Sequence, residues 1–287
     1  MYRAKGEGAA PLGWTRVSDD VTQLPPGLAD ERLWCDDDSG FAAGLYREAP
    51  ELGGRLVLAY RGTANWPGWV TDGGQSFGLK TEQYDQAHTL ARIVRREYGP
   101  SVLVTGHSLG GGQASLASAA TGVRGATFNP AGLHPATAAE YHTTPSAAAD
   151  RVTSYHVPGE ALTALQSTPG RYVLDPLAGA VKSGIAAGRA VTEFRLPTAR
   201  ENETAHIPPS VGRRVTLPDP GGPSPVPFST SPLAVANPVA GGLAAMRGLA
   251  SSGLRHTGIY PIHAMELQKD RDRSAIERLT AGGSGEQ

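Results

Sequence analysis

The sequence predicts an α/β fold with a mostly parallel sheet and helices on both of its faces. Short runs with strand character alternate with segments of helical periodicity between residues 40 and 157. Such alternation is typical of parallel strands connected through helices. The run at 101–105, whose centre is Val-Leu-Val, has the apolar character expected of a strand that is covered on both faces. The apolar residues of 82–98 recur every three or four positions and predict an amphipathic helix.

The individual elements follow from turn signals and apolar spacing. Pro and Gly residues separate two strands at 40–46 and 55–60, and Gly99-Pro100 ends the helix that spans 82–98. A helix of small residues spans 110–120. Two further strands at 125–128 and 151–157 continue the alternating pattern.

The composition changes in the last third of the chain. Two Ala/Gly-rich segments, 177–191 and 232–254, flank a proline-rich stretch at 208–232 that contains one strand at 213–217. The prolines prevent other regular elements in that stretch. We expect one domain, residues 1–287, with a cap or lid at about 176–253 and a final helix at 262–279.

Charge and cysteine content exclude several classes of protein. The 26 Lys and Arg residues and the 27 Asp and Glu residues give a net charge of -1. The basic residues are scattered, which argues against a nucleic-acid partner. The single cysteine, Cys35, excludes an intramolecular disulfide. No signal peptide and no transmembrane segment are evident. We therefore expect a chain made in the cytoplasm and, if exported, exported by a dedicated secretion system without a cleaved leader.

The pattern Gly-x-Ser-x-Gly occurs twice, around Ser108 and around Ser76. A nucleophile elbow needs a buried strand, a tight turn and then a helix, with glycines where a Cβ atom would clash. An apolar strand precedes Ser108, and Gly110-Gly111-Gly112 opens a helix after it. No strand precedes Ser76, and a polar loop follows it. The context selects Ser108 as the nucleophile.

The same turn predicts an oxyanion hole. The amide of Leu109 lies at the start of the new helix, where N–H groups lack intrahelical partners and the helix dipole is positive. A second donor must come from another loop at the carboxyl edge of the sheet. Thr63 follows the second strand and is the candidate, although it could also cap an ordinary turn.

Several motifs together resemble a known family. They are Leu-Ala-Tyr-Arg-Gly-Thr at 58–63, Thr-Gly-His-Ser-Leu-Gly-Gly-Gly at 105–112 and Thr-Phe-Asn-Pro-Ala-Gly-Leu at 127–133. The chain resembles the class 3 lipase-like branch of the α/β-hydrolases. Within that branch it is similar to bacterial phospholipase effectors exported by contact-dependent secretion systems. The resemblance implies the α/β-hydrolase fold and a catalytic triad in the order serine, acid, histidine.

The triad acid is predicted at Glu160, directly after the strand at 151–157. The family has Gly-Asp at the corresponding point, and Gly159-Glu160 stands there in this chain. Asp175 and Asp219 are the competitors, but both lie beside prolines in stretches where Asp commonly forms turns.

The triad histidine must follow the acid, which leaves His206, His256 and His263. The family's end pattern, Arg-His before an amphipathic helix, favours His256 in the loop ahead of the last helix. His263 lies inside that helix and is the second choice as base. His206 falls in the predicted cap.

These residues imply hydrolysis of acyl esters through an acyl-enzyme intermediate, with no metal and no other cofactor. The resemblance implies a lipid substrate, peripheral contact with a membrane and, for an effector, an inhibitory immunity protein as partner. Two other functions stay open: a carboxylesterase or thioesterase for small soluble esters, and an inactive hydrolase fold that serves as a binding module.

Overall fold

A computed structural model describes residues 10–62, 82–160, 162, 163, 166, 208–219, 221 and 259–282. Within 259–282, side chains are described for residues 261, 262 and 264–274. Most of the predicted cap at 176–253 lies outside the described residues.

The centre of the molecule is an eight-stranded sheet in which seven strands follow one path, in the order β1-β3-β4-β5-β6-β7-β8, while β2 pairs with β3. The strands are β1 (Trp14–Arg16), β2 (Cys35–Asp36), β3 (Phe41–Glu48), β4 (Leu56–Tyr60), β5 (Leu103–His107), β6 (Arg124–Phe128), β7 (Val152–His156) and β8 (Arg213–Thr216). Strands β4 to β8 are parallel, and β1 and β4 are antiparallel to β3. The carboxyl ends of five strands therefore lie along one edge.

The described α-helices are α1 (Glu82–Tyr98), α2 (Leu109–Thr121), α3 (Pro135–Glu140) and α4 (Ile259–Gly282). Helix α1 connects β4 to β5 and α2 connects β5 to β6. Crossovers between parallel strands are right-handed, and both of these crossovers run in the same direction across the sheet, so α1 and α2 lie on the same face. The buried residues of α1 are Tyr84, Ala87, Leu90, Ala91 and Val94, which confirms the apolar stripe read from the sequence.

Apolar clusters hold the layers together. The largest joins Leu58 of β4 and Val104 of β5 to Leu90 of α1 and also includes Leu28 and Trp34 of the amino-terminal segment. Another cluster contains Ala264 of α4, Val157 and Leu217, and the partly buried Tyr155 and Met265 pack against it. Val152 of β7 belongs to the cluster that contains Leu116 of α2. Residues 152 and 155 of a strand point to opposite faces, so Tyr155 and α4 lie on the face away from α2. Helices thus contact both faces, and the predicted fold class is confirmed.

The observed elements differ from the predicted ones mainly at their ends. Strand β5 was expected at 101–105 but spans Leu103–His107, and therefore runs directly into the glycine-rich turn. The last helix begins at Ile259 and extends to Gly282, three residues beyond the predicted range at each end. Strands β1 and β2 and helix α3 were not predicted from the sequence.

Candidate active site

Ser108 occupies a sharp turn between β5 and α2. Its φ of 57° and ψ of -127° lie in a region of backbone space that residues with a Cβ atom rarely adopt. The residue is buried, with 4% of its surface exposed. A strained residue at a strand–helix junction is typical of a functional turn, where the surrounding structure maintains the strain.

The glycines around Ser108 are required by close backbone approaches. A Cβ atom at Gly106 would overlap the carbonyl oxygen of Gly110, and one at Gly110 would overlap the carbonyl oxygen of Tyr60. At Gly111 it would overlap Pro130. The glycines of the motif thus allow α2 to start directly against β4 and against the loop after β6.

Backbone hydrogen bonds with the end of β6 and with the loop after it hold Ser108 on both sides. The Ser108 N–H donates to the Phe128 carbonyl at 3.2 Å, and the Ala131 N–H donates to the Ser108 carbonyl at 2.8 Å. The Gly111 N–H also donates to the Ser108 carbonyl, at 2.9 Å. The backbone of Ser108 is therefore held independently of its side chain.

The start of α2 provides a positive electrostatic environment at this turn. Leu109 is the first residue of the helix, so its N–H has no intrahelical acceptor and lies at the positive end of the dipole. The segment after β4 passes the same point, since a Cβ atom at Gly110 would come within 2.9 Å of the Arg61 carbonyl carbon. Thr63, the predicted second donor, follows that segment and lies outside the described residues, as does Ser76.

Glu160 lies at the end of the turn that follows β7 and is completely buried. Its Oε1 accepts the Leu162 N–H at 2.6 Å and its Oε2 accepts the Thr163 N–H at 2.8 Å. Hydrogen bonds from backbone N–H groups stabilise a buried carboxylate in its charged form.

Ser108 and Glu160 follow strands that are separated by one other strand, β6. Neighbouring strands lie about 4.8 Å apart, so β5 and β7 are separated by roughly 10 Å. An imidazole with a hydrogen bond on each side can bridge groups separated in this way. The serine and the carboxylate therefore follow strands whose carboxyl ends lie at the same edge of the sheet.

Helix α4, whose backbone includes residue 263, packs beside the turn that leads to Glu160. Ala264 of α4 is fully buried in the cluster that contains Val157, the first residue of the turn leading to Glu160. The backbone of His263 belongs to α4, and His256 precedes α4 by three residues. His256, His206 and the side chain of His263 lie outside the described residues.

Of the two competing acids, Asp175 lies outside the described residues and Asp219 is exposed. The Asp219 Oδ1 accepts the Gly221 N–H at 2.9 Å. This hydrogen bond closes an Asx turn, which agrees with the interpretation of Asp219 as a turn former.

His156, which was not predicted to have a role, forms a buried polar network beside Glu160. Its Nδ1 lies 2.8 Å from the Thr163 hydroxyl and its Nε2 lies 3.1 Å from the Ser210 hydroxyl. Burial, and to a smaller extent the charge of Arg214, lowers the pKa of His156 to about 4, although Glu160 acts in the opposite direction. The network therefore contains a neutral imidazole at neutral pH.

This shifted pKa predicts a loss of stability in mild acid. The unfolded chain, with a histidine pKa near 6.5, binds the proton more readily than the folded chain, so the free energy of unfolding falls as the pH drops from 6.5 to 4. Between pH 7.5 and 5 the loss should be about 2 kcal/mol. Urea denaturation should show that His156→Gln loses less stability than wild type over this interval. His142→Asn, a change at an exposed site, should keep the full dependence, and equal slopes for wild type and His156→Gln would contradict the assignment.

Asn129 is a second residue that sequence reasoning missed. It is completely buried, has a φ of 40°, and its Oδ1 accepts the Val157 N–H at 2.9 Å. The Asn129-Pro130 pair that follows β6 signals a turn, but its side-chain partner depends on which strand lies beside β6.

In the part of the chain that the structure describes, no three or more His, Cys, Asp or Glu residues are grouped as a metal site would require. The Asp36 carboxylate instead binds Gln86, whose hydrogen bond is the main cause of a lowered Asp36 pKa.

Among the described helices none is long and apolar enough to cross a membrane.

Comparison with known proteins identifies the family of this chain. The family profile described as phospholipase-like, Tle-like phospholipase domain, matches residues 1–221. An extracellular phospholipase A1 of Serratia liquefaciens is 32% identical over 219 residues, which are 76% of this chain and 56% of that protein. The chain thus spans little more than half the length of this curated relative. The range matched by the family profile contains Ser108 and Glu160. The chain belongs to the family of Tle-like phospholipase domains.

Proposed function

We propose that the protein is a serine phospholipase that hydrolyses an acyl ester bond of membrane phospholipids. The observation that carries this proposal is the strained Ser108 at the start of α2, in a chain of the phospholipase family. Because the curated relative is named a phospholipase A1, we assign the sn-1 ester as the bond cleaved.

In the proposed mechanism the Ser108 Oγ attacks the ester carbonyl while a histidine takes its proton. The alkoxide of the lysolipid leaves with that proton, and water then hydrolyses the acyl-enzyme by the same route. His256 is the proposed base and His263 the alternative. Both are supported by the packing of α4 against Val157, beside the Glu160 turn.

The remaining residues stabilise charge. The amides of Leu109 and Thr63 are proposed to hold the oxyanion, with Leu109 supported by its position at the start of α2 and Thr63 by the approach of Arg61 to Gly110. Glu160 is proposed to orient the histidine and to stabilise its positive charge. Its burial and its two backbone donors support this role.

The test is hydrolysis of a phosphatidylcholine with palmitate at sn-1 and oleate at sn-2, followed by mass spectrometry. We expect free palmitate and the oleoyl lysolipid. With a short-chain phosphatidylcholine, the rate should rise steeply once the lipid forms micelles, if the cap predicted from the sequence at 176–253 opens against a lipid surface.

Two outcomes would contradict parts of this proposal. Release of oleate would move the cleavage to sn-2. A rate that rises smoothly through the micellar threshold, with soluble short esters cleaved as fast as lipid, would instead identify a soluble esterase. An effector role, an immunity partner, membrane contact and a secretion route stay predictions from the family resemblance.

A further inference from the structure

Asn129 connects the segment that holds Ser108 to the turn that ends at Glu160, and the proposed mechanism gives it no role. It is the first residue after β6, the strand that separates the serine strand β5 from the acid strand β7. It is also completely buried, although its side chain is an amide. Burying an amide costs free energy unless hydrogen bonds replace those lost to water, so the burial of this side chain requires a structural reason.

On one side, the segment that contains Asn129 holds the serine. Phe128 accepts the Ser108 N–H at 3.2 Å, and Ala131 donates to the Ser108 carbonyl at 2.8 Å. Asn129 lies between these two contacts. Its left-handed φ of 40° belongs to the bend that allows both contacts to reach the same residue, and asparagine tolerates this conformation better than most residues.

On the other side, Asn129 holds the start of the turn at 157–160, here called the acid turn because it ends at Glu160. Its N–H donates to the Tyr155 carbonyl at 2.8 Å, and its Oδ1 accepts the Val157 N–H at 2.9 Å. Val157 begins the turn that ends at Glu160, and its carbonyl accepts the Glu160 N–H at 3.3 Å. The side chain of Asn129 therefore extends the β6–β7 pairing by one hydrogen bond, up to the turn that carries the carboxylate.

We propose that Asn129 is a positioning residue that sets the distance between Ser108 and Glu160. This inference rests on the proposed triad and adds a residue that contacts neither the substrate nor the reacting atoms. A histidine can serve both groups only when each lies within about 2.6–3.2 Å of its ring nitrogens. A displacement of about 1 Å at such a site can cost roughly 10²-fold in rate.

The test compares two substitutions at this position. Asn129→Gly keeps the left-handed backbone without strain and removes the hydrogen bond to Val157. Asn129→Asp keeps an oxygen acceptor in nearly the same place, and complete burial favours its protonated, neutral form, which resembles the amide. We expect Asn129→Gly to lower kcat by about 10- to 100-fold with KM little changed, and Asn129→Asp to recover most of that loss.

The pH profile separates positioning from mere folding. A carboxylate beside the histidine raises the pKa of the imidazole. Loosening the Glu160 turn should therefore move the acid limb of the kcat profile of Asn129→Gly to lower pH. General destabilisation would leave that limb where it is in wild type.

Thr127→Val provides a matched control. The Thr127 hydroxyl lies 3.0 Å from the Ser154 hydroxyl in another buried side-chain contact between β6 and β7, and Ser154 lies within β7, before the turn that leads to Glu160. This variant should lose stability and keep the wild-type kcat and pH profile.

Labelling of Ser108 by a fluorophosphonate keeps this test independent of the lipid substrate. If wild type is labelled at Ser108 but cleaves no phospholipid, the proposed function fails while the labelling rates of the Asn129 variants still test the positioning role. A folded Asn129→Gly with wild-type kcat and labelling rate would overturn the proposal. So would an unshifted acid limb together with no recovery in Asn129→Asp.

Discussion

Ser108→Ala is expected to lower phospholipid turnover by about 10⁶-fold, the loss typical of a missing serine nucleophile. Alanine lacks the oxygen that forms the acyl-enzyme, and the oxyanion donors alone accelerate hydrolysis only weakly. The backbone at residue 108 should not move, because close packing at the neighbouring glycines holds it. It also donates a hydrogen bond to the Phe128 carbonyl and accepts one from the Ala131 N–H. Lipid hydrolysis, fluorophosphonate labelling and thermal unfolding would measure activity, reactivity and fold separately.

Ser76→Ala is the matched control, because Ser76 lies in the second Gly-x-Ser-x-Gly sequence of the chain. It should keep wild-type turnover and labelling. The assignment of the nucleophile is wrong if Ser76→Ala eliminates activity and Ser108→Ala retains it.

Glu160→Gln is expected to reduce turnover by roughly 10³- to 10⁴-fold, as found when a triad carboxylate becomes an amide. A neutral amide cannot stabilise the imidazolium, and its N–H group favours the wrong tautomer of the histidine. The substitution also sets an NH₂ group against the N–H of Leu162 or Thr163, both of which the carboxylate now accepts. Some loss of stability should therefore accompany the loss of turnover.

Urea denaturation at the assay temperature separates these two effects, because turnover must be compared where the variant is fully folded. Asp219→Asn is the control carboxylate, and its exposed Asx turn should leave turnover near wild type. Near-normal turnover in folded Glu160→Gln would assign the acid role to another residue.

The sequence identified features that depend on local pattern. The glycines around Ser108 indicated a tight turn because each missing Cβ atom corresponds to a close backbone approach. The stripe of α1 was evident because burial on one helix face follows the helical period. The turn that ends at Glu160 was also located, since it follows directly from the strand predicted at 151–157.

Features that depend on pairing between distant segments could not be predicted. Strands β1 and β2 contain three and two residues, and only their pairing with β3 defines them as strands. The contacts of Asn129 and His156 join residues 28 and 54 positions apart, a separation over which no periodicity operates. The hydrogen-bond partners of these side chains lie in other segments of the chain, so the residues around each of them in the sequence do not reveal the partners.

The backbone conformation of Ser108 also limits how this enzyme can be made more robust. A residue with a Cβ atom in such a conformation costs on the order of 1–3 kcal/mol, and glycine would remove most of that cost. Laboratory evolution that selects only for heat resistance would thus reward Ser108→Gly, a change that removes the proposed nucleophile. Variants of this chain should therefore be selected for turnover and heat resistance together, because at this position the two requirements oppose each other.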